Sequence, residues 1–89
     1  MVSLVNTTLF LSACECLGFV SLTCTVSIDG EYTYDIVLHE NEANVGNAYG
    51  LDYYAAHEYL ALLFNGFGYA DFAREVPFAM ARLTQAVGA

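Results

Sequence analysis

Two short stretches set a histidine beside carboxylates, the arrangement that metal binding or general acid–base chemistry would use. His39-Glu40-x-Glu42 offers one imidazole and two carboxylates. A closed metal site needs further donors at ligand spacing. None stands nearby, so this stretch reads as a solvated loop. His57-Glu58 begins like a His-Glu-x-x-His helix, but Ala61 stands where the second histidine would have to be. His57 reads as a surface or partly covered side chain. The cysteines are Cys14, Cys16 and Cys24. An odd count closes no disulfide framework, and a single residue between Cys14 and Cys16 is the wrong spacer for zinc knuckles or redox pairs. They read as buried apolar thiols in a reducing cytosol. No serine, threonine or cysteine lies in a nucleophile elbow. Gly66-Phe67-Gly68 lacks the preceding strand that a phosphate loop requires, so it reads as a turn. The chain is therefore not expected to be an enzyme, and no cofactor or metal is expected.

The carboxylates themselves are the dominant chemical feature. Ten acids face two arginines and no lysine, for a net charge of −8. Both arginines, Arg74 and Arg82, fall near the C-terminus, and every acid except Glu75 precedes them. A chain without lysine cannot neutralise a row of phosphates, so direct binding to nucleic acid or to anionic membrane is excluded. Negative charge keeps an apolar small protein dispersed. It also suits a basic partner.

These groups must be positioned by one small domain, residues 1–89. A chain of 89 residues buries roughly 60–65% of its unfolded surface. Yet 57% of the residues are hydrophobic and only 13% are charged. Some apolar side chains must then remain outside, and contiguous exposed apolar surface marks an interface. A homodimer or a protein partner is expected.

The clearest periodicity runs from Phe19 to Glu40. Val20, Leu22, Cys24, Val26 and Ile28 alternate with Ser21, Thr23, Thr25 and Ser27. Tyr32, Tyr34, Ile36 and Leu38 repeat the alternation, with Glu31, Thr33, Asp35, Val37 and His39 between them. Period two with one apolar side is the signature of a half-buried strand. Asp29-Gly30 signals the turn of a hairpin. A two-residue turn there would set apolar against polar positions, which a sheet with one buried face does not tolerate. An odd loop or an adjacent bulge restores agreement. The expected register pairs Ile28 with Tyr32, Val26 with Tyr34, Cys24 with Ile36 and Leu22 with Leu38, around an Asp29-Gly30-Glu31 loop.

Residues 1–18 are ambiguous. Asn6 or Thr7 as N-cap and Gly18 past the end favour a helix with Leu9, Ala13, Cys16 and Leu17 on one face. The alternative, a strand, would extend the hairpin to a three-stranded meander. Leu11-Ser12-Ala13-Cys14 has the form of a lipobox. No Lys or Arg precedes it and the apolar run is short, so a signal peptide is not expected. No stretch approaches membrane-spanning length.

Residues 40–50 read as a loop. Residues 51–65 read as a helix capped by Asp52, with Tyr53, Ala56, Leu60, Leu63 and Phe64 at helical spacing. Residues 67–88 carry a second stripe of Phe72, Val76, Ala79, Met80, Leu83 and Val87. Pro77 interrupts it, so either a kinked helix or two helices are expected. Arg74 can reach Asp71 one turn back, and Arg82 suits the C-terminal end of the helix dipole. The whole is an α+β domain, an antiparallel hairpin packed against C-terminal helices that leave its Ser/Thr/acid face open.

In size, acidity and lack of a motif the chain resembles the small phage-encoded anti-CRISPR and anti-restriction proteins, which mimic DNA. The resemblance covers no specific residue and carries over no site. It implies an inhibitor in the host cytoplasm that blocks the nucleic-acid site of a basic protein or complex, such as a CRISPR effector. The partner-binding residues read from the chain itself are Asp29, Glu31, Asp35, Glu40, Glu42, Asp52 and Glu58. The competing expectation is an assembly protein that uses apolar helix surface.

Overall fold

The computed structural model describes residues 5–88. Its elements run β1 (Val5–Cys14), β2 (Gly18–Val26), β3 (Tyr32–His39), β4 (Ala48–Leu51), α1 (Tyr53–Gly66) and α2 (Ala70–Gly88). The sheet is antiparallel and its spatial order, β1-β2-β3-β4, follows the chain. Both helices pack on one face of it, α1 over β3 and β4, α2 over β1 and β2. This is the expected α+β arrangement with C-terminal helices.

The alternation in β2 and β3 selects the buried face. Val20, Leu22, Cys24, Tyr34, Ile36 and Leu38 are buried and meet Leu60, Phe64, Val76, Met80 and Leu83 from the helices. Of the two helical stripes, Ala56, Leu60, Leu63 and Phe64 of α1 and Val76, Ala79, Met80, Leu83 and Val87 of α2 are buried.

The hairpin register differs from the expected one by one step on each strand. Val26 pairs with Tyr32, Cys24 with Tyr34, Leu22 with Ile36 and Val20 with Leu38. Apolar still meets apolar, as the odd loop requires. The loop, however, is Ile28-Asp29-Gly30, closed by Ser27 N–H donating to Glu31 O at 2.9 Å and Gly30 N–H donating to Ser27 O at 3.0 Å. Gly30, at φ 86°, takes the left-handed position that ends such a loop. Ile28 is consequently not a core residue: it stands 69% exposed at the tip.

Residues 5–14 form a strand, not the favoured helix. The meander wins because β1 finds a partner along most of its length, from Val5 opposite Val26 to Leu11 opposite Val20. Gly18 does adopt a positive φ, 67°, but for a different reason from a helix cap. A Cβ there would lie 2.0 Å from the His39 carbonyl oxygen. The turn at residues 15–17 turns Leu17 into the core and leaves Cys16 exposed, so only Cys24 is shown as a buried thiol. Asn6 pairs with Thr25 and Thr7 with Cys24 inside β1, so neither caps a helix. The expected burial of Cys14, the Leu9 and Ala13 side chains and residues 1–4 lie outside what is described.

The loop expected at 40–50 is shorter, because Ala48–Leu51 adds β4. Tyr34 pairs with Leu51 and Ile36 with Ala48, so a bulge falls at Tyr49-Gly50. Asp35 Oδ1 accepts the Gly50 N–H at 2.8 Å, and Asn47 Oδ1 accepts the Leu38 N–H at 2.9 Å. Asp52 caps α1 as expected, accepting from Ala55 N–H at 2.7 Å. α2 is one continuous helix through Pro77, whose ring is exposed. The stripe on either side of it packs on the same core, which holds the two halves together across the missing hydrogen bond.

The course of the helices is fixed by a few contacts. Tyr53 meets Tyr34 edge-to-face at 5.9 Å, and Tyr59 donates to the Gly46 carbonyl, so α1 runs away from the hairpin tip. Phe72 packs on Phe64, and α2 returns until Thr84 bonds the Tyr34 hydroxyl at 2.7 Å.

Candidate partner-binding surface

The face of the sheet away from the helices carries the polar alternation. Thr8 and Thr23 share a hydrogen bond of 2.8 Å between hydroxyls. Thr23 sits opposite Asp35, and Thr25 opposite Thr33. Thr25, Ser27, Glu31 and Thr33 line a shallow depression near the tip. Hydroxyls thus floor the middle of this face.

Carboxylates gather at its two ends. At the tip, Ser27 organises the loop. Its hydroxyl donates to Asp29 Oδ1 and accepts the Glu31 N–H at 3.1 Å. The Ser27 bond, with support from backbone N–H groups, holds the Asp29 carboxyl below its ordinary value of 3.8. Asp29 and Glu31 are both exposed. At the foot of the hairpin, the Cys16 carbonyl accepts from Glu42 N–H at 3.0 Å and Ala43 N–H at 3.1 Å. This ties the β1–β2 turn to the loop after β3. Glu15, Glu40 and Glu42 therefore share one end of the molecule, all exposed. Glu40 takes φ 55°, which bends the chain sharply out of β3. The eight residues of β3 separate foot from tip by roughly 25 Å at ordinary strand rise.

The seven candidate acids are thus divided. Asp29 and Glu31 form the tip, Glu40 and Glu42 the foot. Asp35 lies between them but is half-buried and engaged with the Gly50 N–H that the bulge would otherwise leave unbonded. Asp52 is occupied as the α1 cap. Glu58 is exposed on α1, across the sheet from the polar face. Glu15 was not legible as part of the surface, because a helical reading of residues 1–18 does not bring it to the foot.

Both arginines lie on α2, on the helical side. Arg74 is paired with Asp71 at 2.7 Å, with both side chains well exposed. No other ion pair occurs among the described residues, and no Lys or Arg among them stands at tip or foot.

The foot also contains a pairing that the sequence did not reveal. Ser21 Oγ and His39 Nε2 share a hydrogen bond of 3.0 Å, diagonally across β2 and β3. Such a pair has nucleophile–base geometry. Ser21 is buried, however, and its hydroxyl also reaches the Val37 carbonyl at 3.4 Å. The contact orients the exposed His39 ring. No group of three or more His, Cys, Asp or Glu side chains able to hold a metal is gathered among the described residues. No described helix is long and apolar enough to cross a membrane.

The chain matches no family model, no curated protein and no solved structure.

Proposed function

We propose that the chain is an acidic protein-binding inhibitor. It docks on the nucleic-acid-binding surface of a basic protein or complex, such as a CRISPR effector, with its carboxylates standing where phosphates would. It acts by occupying the site, not by turnover. The observation that supports this reading is the two-ended acidic face. Asp29 and Glu31 at one end and Glu15, Glu40 and Glu42 at the other flank a hydroxyl floor, with both cations on the helical side. Such a face steers a basic partner and makes association sensitive to salt.

The test is competition. Binding of a labelled DNA or guide RNA to a candidate effector is measured with increasing amounts of this protein, at about 0.05 and 0.3 M salt, a range over which screening strengthens. Displacement that weakens at the higher salt is expected. The pairs Asp29→Asn/Glu31→Gln and Glu40→Gln/Glu42→Gln should each reduce competition roughly tenfold, in keeping with the loss of two charge contacts. Asp71→Asn on α2 should change little. Competition that survives neutralisation of both ends would sink the proposal.

A second reading rests on the helical layer, where Tyr54, Leu62 and Phe78 are 82%, 65% and 65% exposed. Aromatic and aliphatic side chains left out of a small core are the usual anchors of a protein interface. On this reading the chain docks on a larger assembly through its helices, and Tyr54→Ser/Leu62→Ser abolishes capture while the acid variants do not.

A further inference from the structure

The two edges of the sheet are built differently. β4 is four residues long, bulged, and followed directly by Asp52. Short, bulged and charged edges resist pairing with another chain. β1 is ten residues long, and its sequence, VNTTLFLSAC, contains neither charge nor proline. It is the outermost strand, in regular register with β2 from Val5 to Leu11. Its outer row of N–H and C=O groups is a template for a further strand.

The helix above this edge carries an independent pattern. Glu75, Phe78 and Arg82 are exposed and recur on one side of α2. Thr84, on the other side, reaches Tyr34 of β3. Since β1 lies beyond β2 from β3, the Glu75–Arg82 side faces the free edge. Arg82 has no ion-pair partner among the described residues, whereas Arg74 is held by Asp71.

We infer that two copies of this chain pair through β1, antiparallel about a two-fold axis normal to the sheet. The result is one continuous sheet with all the helices on one face. Such an axis keeps like faces together, so a residue at the centre of β1, Leu9 or Phe10, meets its own copy. Neighbouring strands lie about 4.8 Å apart. A helix seated above β1 and β2 then falls about 10 Å from its symmetry mate, a normal helix-packing distance. The heights agree as well. Thr84 is level with Tyr34, and through the ladders with Cys24 and Thr7. Phe78 lies about 9 Å back along the helix, a distance of two to three residues along β1, at the strand centre. The axis therefore passes beside Phe78. Glu75 of each copy faces Arg82 of the other, with the two Phe78 rings between them. A charge pattern complementary to itself fits a copy of this chain and not an unrelated strand. The inference does not depend on the inhibitor reading.

Sedimentation equilibrium on the full chain tests it, with hydrogen exchange of the β1 amides across a concentration series. A dimer is expected, and β1 amides that exchange fast in dilute solution become protected as it forms. Glu75→Arg or Arg82→Glu alone should weaken the dimer roughly tenfold, because each replaces two attractions by two repulsions. The double swap E75R/R82E should restore it to within about threefold. A monomer at every concentration, a dimer indifferent to the swap, or β1 exchange independent of concentration would each overturn the inference.

Discussion

Gly18 is the residue whose identity the backbone dictates most strictly. Its φ of 67° and the 2.0 Å approach of the His39 carbonyl to any Cβ leave room for hydrogen alone. Gly18→Ala is expected to cost about 2–4 kcal/mol, the sum of left-handed strain and a backbone clash. Urea unfolding measures it directly. Tyr34 is a second pivotal residue. It is almost wholly buried, meets Tyr53, and bonds Thr84. Thr84 gives its own hydroxyl proton to the Met80 carbonyl, so Tyr34 donates. Burial pushes the Tyr34 phenol from 10.0 up to about 12. A folded-state value above the unfolded one stabilises fully below pH 10 and is lost as pH rises towards 12. The native protein should therefore lose stability across that window, and Tyr34→Phe should lose less of it. At neutral pH the same substitution should cost about 1 kcal/mol for the missing hydrogen bond. Chemical denaturation at pH 8 and pH 11 separates the two effects.

At the scale of elements, periodicity was a better guide than local caps. The alternation from Val20 to Val26 and from Tyr32 to Leu38 assigned both strands and their buried face. Parity also required an odd loop, which is what forms. The step of one residue was not legible, because both placements of a three-residue loop keep apolar against apolar. The choice falls to loop geometry, with Gly30 at the left-handed position and Ser27 bonded to both Asp29 and Glu31. Residues 5–14 carry signals for both helix and strand, and the open edge of β2 decides between them. β4 has almost no signal of its own and exists through Asp35 and Asn47. α2 shows the reverse case, a strong stripe that overrides a proline. Pro77→Ala should therefore stabilise the protein by about 1–3 kcal/mol, since the helix no longer lacks a donor at an exposed position. A rise in the thermal midpoint checks it, and a fall would show that the proline instead acts by restricting the unfolded chain.

At the scale of the whole molecule, a net charge of −8 acts against compactness. The only ion pair among the described residues is an exposed one on α2, so little relieves the repulsion. Raising ionic strength from about 0.01 to 0.3 M should raise the melting temperature by a few degrees through screening. A melting temperature that falls over that range would show that attractive pairs outweigh the repulsion. One acidic group stands near the tip and another at the foot, roughly 25 Å apart along β3. A partner that contacts both must span the sheet, whereas a small basic peptide would reach only one.

Charge, the near-absence of cations, the strand periods of the hairpin and the apolar stripes of both helices follow from the order of residues in the chain. Each of these is local or compositional, so neighbours in the chain suffice to read it. Only folding settles which acids lie together and which are engaged by backbone donors. Asp35 stands on the polar alternation with no partner near it in the chain, and folding engages it with the Gly50 N–H. Glu15 is remote from Glu42 in the chain, and the Cys16 carbonyl brings its turn there. Groups far apart in the chain meet only when strands pair, and a carboxylate shows whether it is free only once the backbone donors around it have taken their places.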